Sequence, residues 1–331
     1  MADVLLIGMG PTSYTALESL ISTVKVVGLV RKPDASSEAV DPVIFRAQGA
    51  GVPVYPDISM AAIDRLVQDL KPNCVVISSY NRILKPQLLQ RCRFINVHYA
   101  PLPQYRGRAN VNWALINDEP CAGITMHTVS PGLDDGNILF QRVVAIGGND
   151  TVADLYEKLN EIQRHHLGKT VIRYLDGYEG VPQSHRDASY GCTRIPSDGE
   201  INWEGSTRDA HRLVRALVRP FPGAYTFFGG KRLTVWKAEP IQNPPNFRGR
   251  VPGRVIGLSK SDGYVDVLTG DGILRIFEVQ VQGQGTSVAS DVIKSTQETL
   301  GFRPFELLER IDILERQVST LMERKASEQA R

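Results

Sequence analysis

The chain has 331 residues, of which 42% are apolar, enough to bury a full core and to build two domains. Its 38 basic and 36 acidic residues leave a formal charge of +2, so no strong field draws it to phosphate backbones or anionic surfaces. No stretch approaches the roughly 20 apolar residues of a membrane span. Nucleic acid and membrane are therefore not expected partners.

The N-terminus places a short apolar run after an acidic start, which reads as a buried first strand and not as a signal sequence. Cys74, Cys92, Cys121 and Cys192 lack any CxxC spacing and read as small buried thiols, with no disulfide framework and no metal site. A reducing, cytoplasmic location is expected.

Taken in order, strands are predicted at 4–8, 24–30, 73–78, 94–98, 123–128 and 138–146. Helices are predicted at 14–22, 60–70, 86–91 and 111–117. A longer helix spans 151–175, with Thr151 and Asp154 at capping-box spacing and Leu155, Leu159, Ile162, His166 and Val171 as its inward stripe. This alternation predicts an α/β, Rossmann-like, mostly parallel sheet. Gly8-Met9-Gly10 invites a dinucleotide reading, but Ser13 holds the third glycine position and the second strand closes on Arg31-Lys32. A tight strand-to-helix turn accounts for it.

Residues 177–199 are rich in Gly, Pro, Ser and Asp without a sustained period, and read as a linker. After a helix at 208–218, short strands at 223–228, 232–238, 253–258, 264–268 and 273–281 are separated by Gly-containing turns, which predicts a small OB-like β-barrel. The expected organisation is a catalytic domain at 1–185, a barrel at 186–290 and a helical tail at 291–331. In the tail, Leu307, Ile311, Leu314, Val318 and Leu321 form a short a/d stripe. It fits either a helix packing on its own domain or a homodimer contact.

The segment 94–108, FINVHYAPLPQYRGR, ends a strand in two polar side chains before a loop punctuated by Pro and Gly. Strand alternation puts Asn96 and His98 on one face, and ligands gather beyond the carboxyl ends of such strands, where His98 is expected to expose a nitrogen. A second strand runs into VSPGLDDG, which can bring Asp134 to the same rim. Acylating an amine needs such a set: a proton acceptor, an oxyanion donor and a carboxylate that stabilises imidazolium. Alone, each residue reads more simply as a structural histidine, a turn cap and a loop carboxylate. His127, the His165-His166 pair, His185 and His211 read as packing or surface. Trp113, Trp203 and Trp236 read as core, with an acceptor groove at the linker-barrel junction as the alternative for Trp203.

These motifs resemble the folate-dependent formyltransferases, a methionyl-tRNA formyltransferase-like family. Its pattern of Asn-x-His, Pro-x-Tyr-Arg-Gly and Gly-Leu-Asp-x-Gly is matched by Asn96/His98, 103–107 and 132–136. The resemblance implies that His98 accepts or relays the proton, Asn96 stabilises the oxyanion and Asp134 orients the histidine. It implies 10-formyltetrahydrofolate as co-substrate, contacted by Arg82, Ile83, Leu84, Arg108, Ser130, Pro131, Gly132 and Leu133.

Within the family, enzymes acting on tRNA resemble one another in a basic insertion after the second strand. Here 31–42 reads RKPDASSEAVDP, with two bases and three acids. The 104–113 and 124–127 segments are closer to the sugar-nucleotide N-formyltransferases, so the expected acceptor is a nucleotide-linked amino sugar. Methionyl-tRNA is the alternative, and a non-catalytic folate-binding or scaffolding protein the second. Asn110 stands where the family's loop usually carries proline, and Tyr99-Ala100 also departs from its pattern.

Overall fold

The computed structural model describes residues 1–33, 40–80, 82–302 and 304–329; the side chains at 304, 306, 307 and 323–329 lie outside that description. Contacts divide the chain into two compact units, Met1–Ile195 and Pro196–Arg331.

The first unit contains β1 (Asp3–Gly8), α1 (Ser13–Ile21), β2 (Lys25–Val30), α2 (Pro42–Gly49), β3 (Val54–Tyr55), α3 (Met60–Leu70) and β4 (Cys74–Ser78). It continues through α4 (Pro86–Leu89), β5 (Arg93–His98), β6 (Arg106–Gly107), α5 (Asn110–Ile116), β7 (Cys121–Thr128), β8 (Ile138–Ala145), α6 (Val152–Leu175) and β9 (Tyr190–Gly191). Seven strands form one sheet in the order β3-β2-β1-β4-β5-β7-β8. The pairs from β3 to β5 are parallel. β7 and β8 add an antiparallel edge. β4 reads CVVIS and is buried throughout, as a strand covered on both faces must be.

Helix α2 was not legible in the periodicity, because it rests on a cap. Pro42 starts it, and the Asp41 carboxylate accepts from the amides of Val43 and Ile44. The same carboxylate lies 2.7 Å from Arg31, a buried side chain whose guanidinium also donates to Gly8 O, Gly10 O and the Ser13 hydroxyl. A buried charge needs partners of this kind. The Gly8-Met9-Gly10 turn is thus tied down by an internal cation.

Helix α6 carries the expected capping box between Thr151 and Asp154. Its buried stripe runs through Leu155, Leu159, Gln163, Leu167 and Val171, displacing Ile162 and His166 from the core. Gln163 is buried because its amide donates to Thr12 O and the Thr15 hydroxyl, which satisfies it inside. The 177–195 segment is no passive linker. β9 pairs in parallel with β6, and the Arg106 amide donates to Ser189 O at 2.9 Å. Of the four thiols Cys74 alone is buried and Cys192 is exposed, against the expectation of buried cysteines.

The second unit holds α7 (Thr207–Ala216), β10 (Ala224–Phe228), β11 (Lys231–Pro240), β12 (Val255–Ser259), β13 (Tyr264–Leu268), β14 (Ile273–Val281), β15 (Thr286–Val288), α8 (Ala289–Val292) and α9 (Pro304–Gln329). Its antiparallel sheet follows β10-β11-β14-β13-β12, with β15 on β14. Among the described residues no ladder joins β10 to β12, so the element is an antiparallel sheet domain. Residues after α8 belong to it as well: Ile293 and Leu300 are buried, and Leu300 N donates to Gly253 O. No helix among the described residues is long and apolar enough to cross a membrane.

Candidate active site

The alternation of β5 turns Asn96 and His98 to the same side, and the antiparallel register of β7 sets His127 opposite Asn96 and Thr125 opposite His98. The turn after β7 folds back over this pair. It can do so only with glycine at 136, where an added Cβ would stand 1.8 Å from Thr128 O. Asp134 itself takes a left-handed φ of 49°. Such backbone costs of order 1 to 3 kcal/mol for a non-glycine residue and persists where the surroundings hold it.

What holds Asp134 is a set of four groups. Its Oδ1 lies 3.3 Å from Asn96 Nδ2 and 3.6 Å from His127 Nε2. Its Oδ2 accepts from the Gly107 amide at 2.9 Å and lies 3.5 Å from His98 Nδ1. The backbone carbonyl of Asp134 accepts from Gln183 Nε2, whose Oε1 in turn accepts from the guanidinium of buried Arg106. The 177–195 segment therefore fixes the acidic turn from behind.

Electrostatics follow from this enclosure. Burial pushes the Asp134 carboxyl up, but the His127 hydrogen bond, the His98 and His127 charges and the Gly107 amide outweigh it and hold the group well below the usual carboxylate range. His98 is pushed below its ordinary value, chiefly by burial, with His127 adding to the shift and Asp134 and the Tyr105 carbonyl opposing it. The site at neutral pH is a carboxylate facing a neutral imidazole.

The ring nitrogens have distinct partners. His127 Nδ1 lies 2.8 Å from Thr128 O and donates to it, while Nε2 lies 3.1 Å from Asn96 Nδ2 and 3.6 Å from Asp134 Oδ1. His98 Nε2 lies 2.8 Å from Tyr105 O and 3.0 Å from Asn110 Nδ2. The first favours a proton on Nε2 and the second a lone pair. The nitrogen thus sits between an acceptor and a donor, an environment that suits a group cycling between protonation states. Asn110 Oδ1 is buried with no hydrogen-bond partner among the described residues.

His98, Asn96 and Asp134 meet as the sequence predicts, but His98 is 6% exposed, so its expected open nitrogen is covered by the 105–110 loop. Asn96 Nδ2 donates to Asp134 and lies against His127 Nε2, so an oxyanion would reach its N–H groups only by displacing one of the two. His127 belongs to this cluster and does not merely pack. Its one sequence signal is a polar residue inside the apolar strand 123–128. Asn110, noted above for replacing proline, touches the imidazole itself.

The other singled-out residues are scattered in environment. Leu84 is buried in the core beside Ile77 and Leu88, whereas Arg82 and Ile83 are exposed. Arg108, Pro131, Gly132 and Leu133 are exposed. The Ser130 hydroxyl donates to Asp135, and a Cβ on Gly132 would strike that same carboxylate. Among the described residues no His, Cys, Asp or Glu side chains are grouped to hold a metal ion.

Residues 22–171 match the family profile described as formyl transferase, and 195–297 match that of the formyl transferase C-terminal domain. A methionyl-tRNA formyltransferase of Caldanaerobacter subterraneus subsp. tengcongensis is 34% identical over 270 residues, covering 78% of this chain and 85% of that one. A second, from Alkaliphilus oremlandii, is 31% identical over 297 residues, covering 84% and 92%. In fold the chain is similar to an N-formyltransferase from Helicobacter canadensis solved with folinic acid and dTDP-3-aminofucose. The TM-score is 0.64 at 19% identity, covering 83% of this chain and 98% of that one.

Proposed function

Since the chain belongs to the formyl transferase family and is a formyl-transferring enzyme, we propose that it moves the formyl group of 10-formyltetrahydrofolate to the primary amine of a nucleotide-linked amino sugar. The observation that carries the chemistry is the Asp134 carboxylate held among Asn96, His98 and His127. As the amine attacks the formyl carbon, its proton passes to His98, and the imidazolium is stabilised by Asp134 at Nδ1. Asn96 turns an N–H to the developing oxyanion. The proton then leaves with the folate nitrogen as the tetrahedral intermediate collapses. Positioned acid–base groups of this kind contribute about 10² to 10⁴ in rate, and one oxyanion donor about 3 kcal/mol.

Support for the sugar acceptor comes from the stretch after β2. Of its two bases, Arg31 is buried and committed to Asp41 and to the β1 turn, which withdraws it from any phosphate. Residues 34–39 of that stretch lie outside the described residues. Methionyl-tRNA is the second reading, favoured by the names of the relatives at 34% and 31% identity.

The test supplies formyl-tetrahydrofolate with a panel of amino-sugar nucleotides and with charged initiator tRNA, and follows folate release. Release on addition of a sugar nucleotide is expected. Transfer to tRNA alone would overturn the sugar assignment, and release without acceptor would indicate hydrolysis. His98→Ala and Asp134→Ala are each expected to abolish transfer while folate still binds.

A further inference from the structure

Helix α9 is the longest among the described residues, and its described side chains do not pack on the second unit. Ile311, Leu314, Val318 and Leu321 are 42%, 43%, 52% and 63% exposed, and Leu308 and Met322 flank them at 63% and 69%. The side-chain bonds seen along it are internal: Arg316 to Asp312, and the Thr320 hydroxyl to Arg316 O. An isolated helix gains little from its own hydrogen bonds and is stabilised by burying an apolar face. Of the two readings that the stripe allowed, packing on its own domain is the one this exposure rejects.

We propose that α9 pairs with α9 of a second copy of this chain as a parallel two-stranded coiled coil. In the heptad frame Ile311 and Val318 take position a, and Leu307, Leu314 and Leu321 take position d. β-branched residues at a with leucine at d select two parallel strands. The flanking charges agree. Arg310 falls at g and Glu315 at the following e, so in a parallel pair each copy's Arg310 faces the other's Glu315, twice by symmetry. An antiparallel pair sets g against g and e against e and loses that attraction. At the outward positions Asp312 and Arg316 bond to each other at 2.7 Å, both exposed, with Ser319 and Thr320 following and Ile313 the one exposed apolar residue among them. A membrane surface is a poorer occupant, because 304–329 carries six acids against four bases.

Sedimentation equilibrium of the full chain at micromolar concentration is expected to give a dimer. Val318→Asp, which buries a charge at an a position, is expected to return it to monomer while the circular dichroism of the sheets and formyl transfer persist. Orientation is read from Val318→Cys in a Cys192→Ser background, since an a residue lies opposite itself in a parallel pair. Oxidation should link the two copies, and fail to do so with cysteine at the outward position of Arg316. A monomeric wild-type chain, a trimer, a dimer that survives Val318→Asp, or no link at Val318→Cys would each overturn the proposal.

Discussion

Asn96 and His127 stand opposite each other in the β5–β7 ladder, and the amide nitrogen of the first lies 3.1 Å from Nε2 of the second. Because His127 Nδ1 donates to Thr128 O, the ring is held with Nε2 towards both Asn96 and Asp134. The amide is then aimed at Asp134.

His127→Phe keeps a ring of similar size but deletes the nitrogen that faces Asn96 and Asp134. A hydrogen bond in a charged network contributes about 1.5 to 3 kcal/mol, so kcat is expected to fall about ten- to a hundredfold with the folate KM nearly unchanged. Steady-state kinetics check this, and an unaltered kcat would remove His127 from the machinery.

The depressed His98 value gives a pH profile whose sign can be worked out. If His98 is the proton acceptor as proposed, it must be neutral, so kcat should stay level as pH falls through 6.5 and drop only in more acid solution. Asp134 raises the His98 value, so Asp134→Asn should move the acid limb to lower pH as well as lower the plateau. Stability is linked to the same groups. The unfolded chain takes up a proton at His98 first, so the fold weakens as pH falls from 6.5 towards the native value. Asp134 stabilises the fold above 3.8, and that contribution is lost as pH falls from 3.8 through its depressed native value. Urea unfolding across pH measures both, and a wild-type advantage over Asp134→Asn that persists at the acid extreme would contradict the assignment.

Asn110 donates towards His98 Nε2 at 3.0 Å, which disfavours a proton on that nitrogen. Asn110→Asp replaces the donor with an anion of the same shape. It is expected to raise the His98 value and shift the acid limb to higher pH, whereas Asn110→Ala should leave the limb between the two. Carbon-13 titration of the imidazole reads the shift directly, and no movement in Asn110→Asp would mean that the side chain does not act on the ring.

At Gly136 a Cβ would lie 1.8 Å from the Thr128 carbonyl oxygen, a backbone atom that cannot step aside. Gly136→Ala is therefore expected to destabilise the first unit by about 3 kcal/mol or more and to displace Asp134. Gly49→Ala, at the end of α2 where an added Cβ meets open space, should instead stabilise it by about 0.5 to 1 kcal/mol. Denaturant midpoints of the pair give the contrast.

The sequence by itself determined what local chemistry specifies. Continuous apolar runs such as 74–78 marked the buried parallel strands, Thr151 and Asp154 marked the start of α6, and three motifs in order marked Asn96, His98 and Asp134. The tertiary structure decided whatever depends on partners distant in the chain. His127 joined the site because an antiparallel register carried it opposite Asn96, and strand alternation alone does not give register. Gln183, held by Arg106, secured the acidic turn from a segment that composition marked only as a linker. The covering of His98 by Tyr105 and Asn110 likewise came from loop closure. A hydrogen bond between residues far apart in sequence leaves no period in either segment, so the protonation states at this site are a property of the folded chain.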